Sequence, residues 1–283
     1  MRYSIGIDVG GTNIRIAVVD EDGNLYDVIK ESTKAKTIDG LKEQILELIS
    51  KIDYKKYNVC GIGIGVPGPV RPDGTVIYIP NLNISESFNL KKMIEDEIHL
   101  PTFVGNDANV AGLAEAYVGN GKGYDVVQYI TMSTGIGGGL VMNKKMVIGK
   151  NGLAQEIGSM IVKNGGRAPS IFKAKGCIEG EASGTMLTLK ANELGLSCEN
   201  AGDVFNLASQ GNVAAFIGSI VAYMEPDIFV IGGGLMKSKD HFFDALVKKV
   251  DDYVYESLKG NVKIVPAKYD QDCGIIGAAM QAF

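Results

Sequence analysis

The first part of the chain alternates apolar and polar residues in three runs that predict β-strands: YSIGIDV (3–9), IRIAVVD (14–20) and LYDVIKE (25–31). The turn-forming residues 20–24 (DEDGN) join the second run to the third, which predicts a hairpin. Residues 38–52 instead repeat apolar side chains at helical spacing. The apolar runs 60–66 and 101–105 predict two more strands, and residues 109–118 predict a helix after the second of them.

A similar order of elements follows in the second part. Residues 125–133 predict a strand that ends in the glycine-rich stretch 135–139, and the hairpin GLVMNKKMVIG comes next. Beyond it the pattern predicts helices over 213–224, 240–258 and 274–283, and strands over 227–233 and 262–267.

Each half therefore opens with a strand, a glycine-rich turn and a hairpin. We predict an α/β protein of two domains, 1–118 and 119–269, with ligands in the cleft between them. The small residues 119–123 (GNGKG) are suited to a hinge. A C-terminal helix at about 270–283 could pack back on the first domain.

The composition narrows the class of function. The formal net charge is -5 without a block of like charges, which disfavours nucleic-acid binding. Four cysteines without a CxxC motif are typical of a reduced, cytosolic protein. The longest apolar run, 213–224, is too short to cross a bilayer, and no export signal is visible at the start. We expect a cytoplasmic protein that contacts neither nucleic acid nor membrane.

Three glycine-rich turns at strand ends carry the first candidate chemistry: residues 8–12 (DVGGT), 133–139 (STGIGGG) and 232–234 (GGG). Glycines let the backbone approach a ligand closely, so that N–H groups and hydroxyls face phosphate oxygens. Asp8 could hold Mg²⁺ directly or through water. A plain hairpin or β–α turn is the alternative for the first and third stretches taken singly. The three together favour a phosphate-binding site.

The segment Val104-Gly105-Asn106-Asp107 predicts a strand that passes into a helix. An Asp at this place is either a helix N-cap or a catalytic base that accepts the proton of an attacking hydroxyl. The residues alone support both interpretations equally.

Other motif matches do not hold. Residues 63–68 fit GxGxxG, but Pro67 and Pro69 stand where the helix of a dinucleotide site would begin. The chain has no GxxxxGK[ST] motif, which excludes a P-loop kinase. His99 and His241, the two histidines, are far apart in sequence and suggest neither a metal site nor a Ser/His/Asp triad.

The motifs DVGGT, GVPGPV, PNLN, GNDANVAGLAEA, STGIGGGLV, QEIGS, GCIE and IGGGL resemble, in this order, the ROK family of sugar kinases and related repressors. The resemblance covers essentially the whole chain. It implies the two-domain, ribonuclease H-like ATPase fold of actin, Hsp70 and hexokinase. It also implies that the chain phosphorylates a sugar with ATP and Mg²⁺, with Asp107 as the general base.

The resemblance further implies the residues that bind each ligand. ATP with Mg²⁺, held at Asp8, would lie across the glycine-rich turns, on Asp8, Gly10, Gly11, Thr12, Asn13, Ser133, Thr134, Gly135, Gly137, Gly138, Gly232, Gly233 and Gly234. The sugar would lie against Gly65, Pro67, Gly68, Asn81, Leu82, Asn106, Asp107, Glu156, Ser159 and Glu179. Surface charge is the alternative for Glu156 and Glu179.

This chain departs from the family at the zinc motif. Most members carry a His and three Cys that bind a structural zinc ion, whereas Ser159 stands here for the His. Ser170 and Phe172 stand at two cysteine positions, and Cys177 alone is kept. One thiolate cannot build a tetrahedral site, so we expect no structural zinc. Ser159 also leaves room for a bulkier sugar substituent.

The sugar itself stays open at this point. A glucose-like sugar and N-acetylmannosamine are the first candidates, and a β-glucoside kinase or a fructo- or mannokinase is the alternative. A catalytically inactive sugar-binding protein, a repressor and an actin-like or chaperone ATPase are the rivals from other classes. The first turn begins at residue 8, which disfavours the helix-turn-helix of a repressor, and the glycine turns with Asp107 favour a kinase. A homodimer is expected from the resemblance.

Overall fold

The computed structural model describes residues 1–169, 174–193, 195, 210–269 and 271–283. They form two compact units. The first comprises Met1–Gly123, Gly139–Gln155 and Gln271–Phe283, and the second Tyr124–Gly138 and Glu156–Asp270. The boundary predicted at residue 118 differs from this division. It assigns residues 119–123 and 139–155 to the second domain, whereas in the structure they belong to the first unit. Residues 271–283 count with the first unit, where the C-terminal helix was predicted to pack.

The first unit holds a five-stranded sheet in the order β3-β2-β1-β4-β7. Strands β1 to β3 are antiparallel neighbours, and β4 and β7 run parallel to β1. The elements are β1 (Tyr3–Val9), β2 (Asn13–Asp20), β3 (Leu25–Ser32), α1 (Ile38–Ser50), β4 (Val59–Val66), β5 (Thr75–Val76), β6 (Phe88–Asn89), α2 (Leu90–Ile98), β7 (Thr102–Asn106) and α3 (Asp107–Tyr117).

Helix α1 shows how local sequence sets an element of this unit. Thr37 caps its N-terminus, and the Thr37 hydroxyl accepts a hydrogen bond from the Gly40 amide at 3.1 Å. The apolar face predicted from helical spacing is buried, including Leu41, Ile45 and Leu48. That face packs on the core of the first sheet.

The second sheet has the order β10-β9-β8-β11-β12, and β8, β11 and β12 run parallel. Strand β9 begins in the second unit, and its residues from Gly139 count with the first. The elements from Tyr124 onward are β8 (Val126–Met132), β9 (Ile136–Met142), β10 (Lys145–Met146), α4 (Ile178–Ala182), α5 (Gly184–Glu193), α6 (Gln210–Met224), β11 (Ile228–Gly232), α7 (Phe243–Val250), β12 (Ile264–Pro266) and α8 (Cys273–Met280).

The single helix predicted over 240–258 is wrong. The structure has a 3-10 segment, Gly234–His241, then α7, then short 3-10 turns at Asp251–Tyr253 and Glu256–Leu258. Val254 adopts an extended backbone (φ -120°) and packs against the core, which interrupts the helix. The helical spacing of apolar residues continues across this stretch, but the helical conformation of the backbone does not.

Helix α8 lies close to the backbone of the first sheet and of α3. A Cβ atom on Gly63 of β4 would lie 1.7 Å from the carbonyl oxygen of Ala278, and one on Gly277 would lie 1.7 Å from that of Val110. At the start of α8, the guanidinium of Arg15 forms an ion pair with Asp272 and donates to the carbonyl of Gln271. The helix is therefore fixed by close backbone approach and by one charged contact.

Candidate active site

The parallel strands of the first sheet bring the predicted residues of this unit to one edge. Asp8 pairs in register with Gly65, and Gly65 with Gly105. Asp8 therefore lies two strand spacings, about 10 Å, from the end of β7. Asn106 is the last residue of β7 and Asp107 the first of α3. The carboxyl ends of parallel strands are where α/β proteins bind ligands.

The turn between β1 and β2 is tight and open to a ligand. The Gly10 amide donates to the carbonyl of Asn13 at 2.9 Å, which closes the turn. Within the described residues, the Gly11 and Thr12 amides have no protein acceptor, so they can donate to phosphate oxygens. A Cβ atom on Gly11 would lie 2.9 Å from Cβ of Asn81, so this turn touches the Pro80–Leu82 segment predicted for the sugar.

Asp8 has the chemistry of a cation ligand. It stands near the end of β1, where crowding by protein atoms raises the pKa of its carboxyl group and Arg15 acts in the opposite direction. A bound divalent cation would favour the ionised form of such a carboxylate. Asp8 and the free amides of the turn thus fit the Mg²⁺ and phosphates of a nucleotide.

Asn106 and Asp107 occupy successive positions at the start of α3, which bears on whether Asp107 is a helix cap or a catalytic base. Asn106, not Asp107, is the N-cap of α3, and its Oδ1 accepts from the amides of Ala108 at 3.0 Å and Asn109 at 3.2 Å. The Asn106 side chain also donates to the carbonyl of Gly68 at 3.3 Å. Asp107 opens the helix, and its Oδ1 accepts from the Ala108 amide at 2.8 Å. Asn106 therefore holds the N-cap position, and Asp107 lies one residue further on, in the first turn of α3.

The residues of the first unit that were predicted to bind the sugar differ in their exposure to solvent. Asn81 is exposed, whereas Leu82 belongs to the core with 0% exposure. A contact of Leu82 with a ligand would therefore use its main chain. Gly65 and Gly68 are buried and Pro67 is half-buried. A Cβ atom on Gly68 would lie 2.1 Å from the Tyr78 carbonyl, so only glycine fits this bend.

Asn109 is a polar residue of this edge that the sequence reasoning did not select. It is 4% exposed, and its amide group donates to Oδ1 of Asn106 at 3.4 Å. In the described part of the chain, its Oδ1 is the one buried side-chain nitrogen or oxygen atom without a hydrogen-bond partner. Asn109 supports the Asn106 cap, and its place in the motif GNDAN is the signal that points to it.

The two glycine turns of the second unit touch each other. Ser133 Oγ accepts from the Gly234 amide at 2.8 Å, and the Ser133 carbonyl accepts from the Gly184 amide at 2.8 Å. Gly233 has φ 94°, and a Cβ atom there would lie 2.5 Å from the carbonyl of Met132. The turns predicted for the nucleotide are therefore adjacent at the ends of the neighbouring strands β8 and β11.

The glutamates predicted for the sugar belong to the same unit. Glu179 of α4 accepts from the Ile136 amide at 2.9 Å through Oε2, and a Cβ atom on Gly135 would lie 2.7 Å from that oxygen. Glu156 precedes the 3-10 turn Ile157–Ser159, where the Ser159 amide donates to the Glu156 carbonyl at 3.0 Å. Glu179 is thus bonded to the glycine turn, while Glu156 and Ser159 are exposed.

A cavity of about 200 Å³ adjoins the third glycine turn. Sequence reasoning missed most of its lining, because the contributing residues carry no motif of their own. The lining comes from the end of β11, the 3-10 segment that follows it, and the end of β12 with the residues after it: Ile231, Gly232, Gly233, Met236, Lys237, Lys239, Pro266, Ala267 and Tyr269. Its apolar and cationic lining suits a nucleotide base with its phosphates.

The structure also bears on the zinc motif. Ser159 is exposed and Cys177 is fully buried, while Ser170 and Phe172 lie outside the described residues. Among the residues described, no three His, Cys, Asp or Glu side chains come together as a metal site. No helix in the described ranges is long and apolar enough to span a membrane.

Comparison with known proteins identifies the family. The model of the ROK family matches residues 4–282. The chain is 31% identical to a glucokinase of Halalkalibacterium halodurans over 98% of this chain and 93% of that protein. Among solved structures, it superposes on the ROK hexokinase of Thermus thermophilus with a TM-score of 0.86 and 26% identity, covering 98% of this chain and 97% of the other.

A second structure is that of a ROK glucokinase from Streptomyces griseus in complex with glucose and AMPPNP. It gives a TM-score of 0.78 and 28% identity, over 98% of both chains. These matches confirm the predicted actin-like ATPase fold and the resemblance seen in the motifs. The chain belongs to the ROK family.

Proposed function

We propose that the protein is an ATP-dependent sugar kinase that phosphorylates a hexose or an amino sugar, at the 6-hydroxyl group. The observation that carries the proposal is the position of Asp107. It is the first residue of α3, next to the N-cap Asn106, at the carboxyl ends of the parallel strands of the first sheet. The family match, with a glucokinase among the relatives, supports this activity.

In the proposed reaction, the sugar oxygen attacks the γ-phosphorus of ATP. The bond from that phosphorus to the bridging oxygen breaks, and ADP leaves with its electron pair. Asp107 accepts the proton of the attacking hydroxyl group. Asn106, held by the Ala108 and Gly68 contacts, would orient the hydroxyl.

ATP would be held by the glycine turns. The amides of Gly11 and Thr12, and those of the turn at residues 133–138, would donate to phosphate oxygens. Asp8 would hold Mg²⁺, which supplies neutralisation of the phosphate charge. The cavity beside residues 232–234 would receive the base.

The sugar would be recognised by Asn81, Asn106, Glu156 and Glu179. Acceptors and amides placed for adjacent hydroxyls reject a sugar that leaves one of them unpaired. Ser159 is small and exposed, which leaves space for an N-acetyl group or an aglycone. A glucose-like sugar or N-acetylmannosamine is the proposed substrate, and a β-glucoside, fructose or mannose is the alternative.

The test is ADP release from MgATP with a panel of glucose, mannose, fructose, N-acetylglucosamine, N-acetylmannosamine, allose and cellobiose. We expect one strong responder. Asp107→Asn should lower kcat by about 10² to 10⁴-fold and keep sugar binding, because it removes the base without emptying the pocket. Asp96→Asn, on the exposed face of α2, is the matched control and should keep full activity.

Wild-type turnover in Asp107→Asn would disprove its role as the base. If the wild-type protein releases no ADP with any sugar of the panel, but a sugar raises its melting temperature, the inactive sugar-binding alternative is favoured. A high ATPase rate without sugar would favour an actin-like or chaperone ATPase.

We further propose that the protein works without structural zinc. The Ser159 hydroxyl and the single thiol of Cys177 offer too few ligands for a tetrahedral site. Elemental analysis of tag-free protein should find less than about 0.1 zinc per chain, and a chelator should leave the melting temperature unchanged. Stoichiometric zinc would contradict this. The dependence on ATP also makes the cytoplasm the proposed location.

A further inference from the structure

Glu181 is a buried carboxylate with no part in the proposed reaction. It lies in α4 and is 1% exposed. Oε1 accepts from the Arg167 amide at 3.0 Å, and Oε2 accepts from the Lys190 ammonium at 3.0 Å. Lys163 lies 3.9 Å from the same oxygen. A buried carboxylate persists when hydrogen bonds and cations compensate for lost hydration, and Glu181 has both.

This cluster joins three separate segments of the second unit: the loop at residues 161–169, α4 and α5. Lys190 of α5 also donates to the Glu181 carbonyl at 2.7 Å. The loop is tied to the residues before α4 as well, since the Gly176 amide donates to the Arg167 carbonyl at 2.8 Å and the Val162 amide to the Gly176 carbonyl at 2.9 Å. Gly166 permits the approach, because a Cβ atom there would lie 2.3 Å from Oε1 of Glu181.

Helix α4 carries a second carboxylate with a different partner. Glu179, two residues before Glu181, bonds to the Ile136 amide in the glycine turn. The helix has five residues, too few to be stable without tertiary contacts. The contacts of Glu181 therefore help to set the position of α4 and, through it, of Glu179.

We propose that Glu181 is a positioning residue for the sugar site, and that its contacts with Lys190 and the Arg167 amide do here what a metal cross-link would otherwise do for this segment. Two residues of the cluster, Lys163 and Arg167, lie between Ser159 and Cys177 in sequence, where the zinc ligands are missing. The inference rests on the proposed kinase function, because Glu179 is assigned to the sugar there.

The experiment measures KM for the sugar and KM for MgATP separately, using the sugar to which the wild-type protein responds. Glu181→Gln keeps the shape of the side chain and removes its charge, and Lys190→Met removes the cation. Both should raise KM for the sugar about 10-fold or more and change KM for MgATP less than about 2-fold. Lys190→Arg restores the cation and should return KM for the sugar to within about 2-fold of wild type.

Glu193→Gln is the matched control. It breaks the exposed ion pair between Glu193 and Arg167, on the same loop and the same helix α5, without touching the buried carboxylate. We expect wild-type kinetics for it. An effect equal to that of Glu181→Gln would show that any disturbance of the loop suffices, and would overturn the specific role of Glu181.

The outcomes separate the two proposals. An active wild-type kinase whose Glu181→Gln and Lys190→Met variants keep KM for the sugar refutes the positioning role alone. So does a loss of kcat with KM for the sugar unchanged, which would indicate that part of the protein is simply unfolded. A wild-type protein that phosphorylates no sugar of the panel, yet whose melting temperature rises with one of them, refutes the kinase function, and the positioning role falls with it.

Discussion

Glu179 and Glu181 show how far the surroundings of one residue type can differ on one short helix. Glu179 is half-buried and bonds to a main-chain amide of the glycine turn. Glu181 is buried and receives a main-chain amide and a lysine. Burial raises the pKa of Glu181, but the bonds from the Arg167 amide and from Lys190, with the charge of Lys163, together outweigh it and hold the pKa below the usual 4.5.

The lowered pKa of Glu181 predicts a pH-dependent stability. A carboxylate whose pKa is lower in the folded state stabilises the fold above its unfolded pKa and loses that effect as the pH falls through the folded value. We expect Glu181→Gln to lower the free energy of unfolding by about 2 kcal/mol at pH 7. The difference from wild type should shrink as the pH falls below the usual pKa of 4.5 toward the lower folded-state pKa.

Urea unfolding of both proteins at several pH values checks this. Among the described residues, the groups that face Glu181 include Lys163, Lys190 and the main-chain amide of Arg167. Glu193→Gln, which removes a solvent-exposed pair, should show no such loss at pH 7. A difference that does not change with pH would contradict an ionised Glu181.

At the scale of elements, α8 depends on glycines that admit backbone contact. Gly277 meets the backbone of α3, and Gly63 of β4 meets the backbone of α8. The apolar side chains of α8 are buried, and Arg15 fixes its start beside Asp272. The C-terminal helix is therefore part of the core that supports the candidate active site of the first unit.

Gly277→Ala should destabilise the protein by about 3 kcal/mol or more, because its Cβ would lie 1.7 Å from the Val110 carbonyl and the backbones would have to separate. Gly211→Ala in α6 is the matched control. Among the described residues, a Cβ there would meet the Tyr253 hydroxyl at 3.6 Å, an ordinary contact, so alanine should change the stability by less than about 0.5 kcal/mol. Thermal unfolding measures both, and equal effects of the two variants would refute the packing argument.

At the scale of the whole molecule, each unit has its own hydrophobic core and its own glycine-rich turn between two strands. The second unit also exposes several aromatic rings. Tyr255, 72% exposed, lines a groove of about 340 Å³ together with Val221, Tyr253 and others, and Tyr223, 85% exposed, follows the groove residue Ala222 in sequence. Exposed apolar patches of this kind are typical of protein interfaces.

We expect the protein to form a homodimer through this Tyr surface of the second unit. Light scattering should give twice the mass of 30.1 kDa for the wild-type protein. The double variant Tyr223→Ser, Tyr255→Ser should shift the mass toward the monomer, since it removes exposed apolar area from the contact. Val28→Ser, which changes an exposed apolar residue of the first unit, should leave the mass unchanged. A monomeric wild-type protein would contradict the expectation.

The sequence by itself determined the strands with their glycine-rich turns, the motif that places Asn106 and Asp107 at the start of a helix, and the family. These features depend on local backbone preference and on residue types that tolerate few substitutes, so they can be recognised along the chain. The tertiary structure decided which residue caps α3, that Leu82 is buried, and that the predicted helix 240–258 is interrupted near Val254. It also decided that Glu181, Arg167 and Lys190 meet. These outcomes depend on contacts between segments distant in sequence, whose energies a local pattern does not contain.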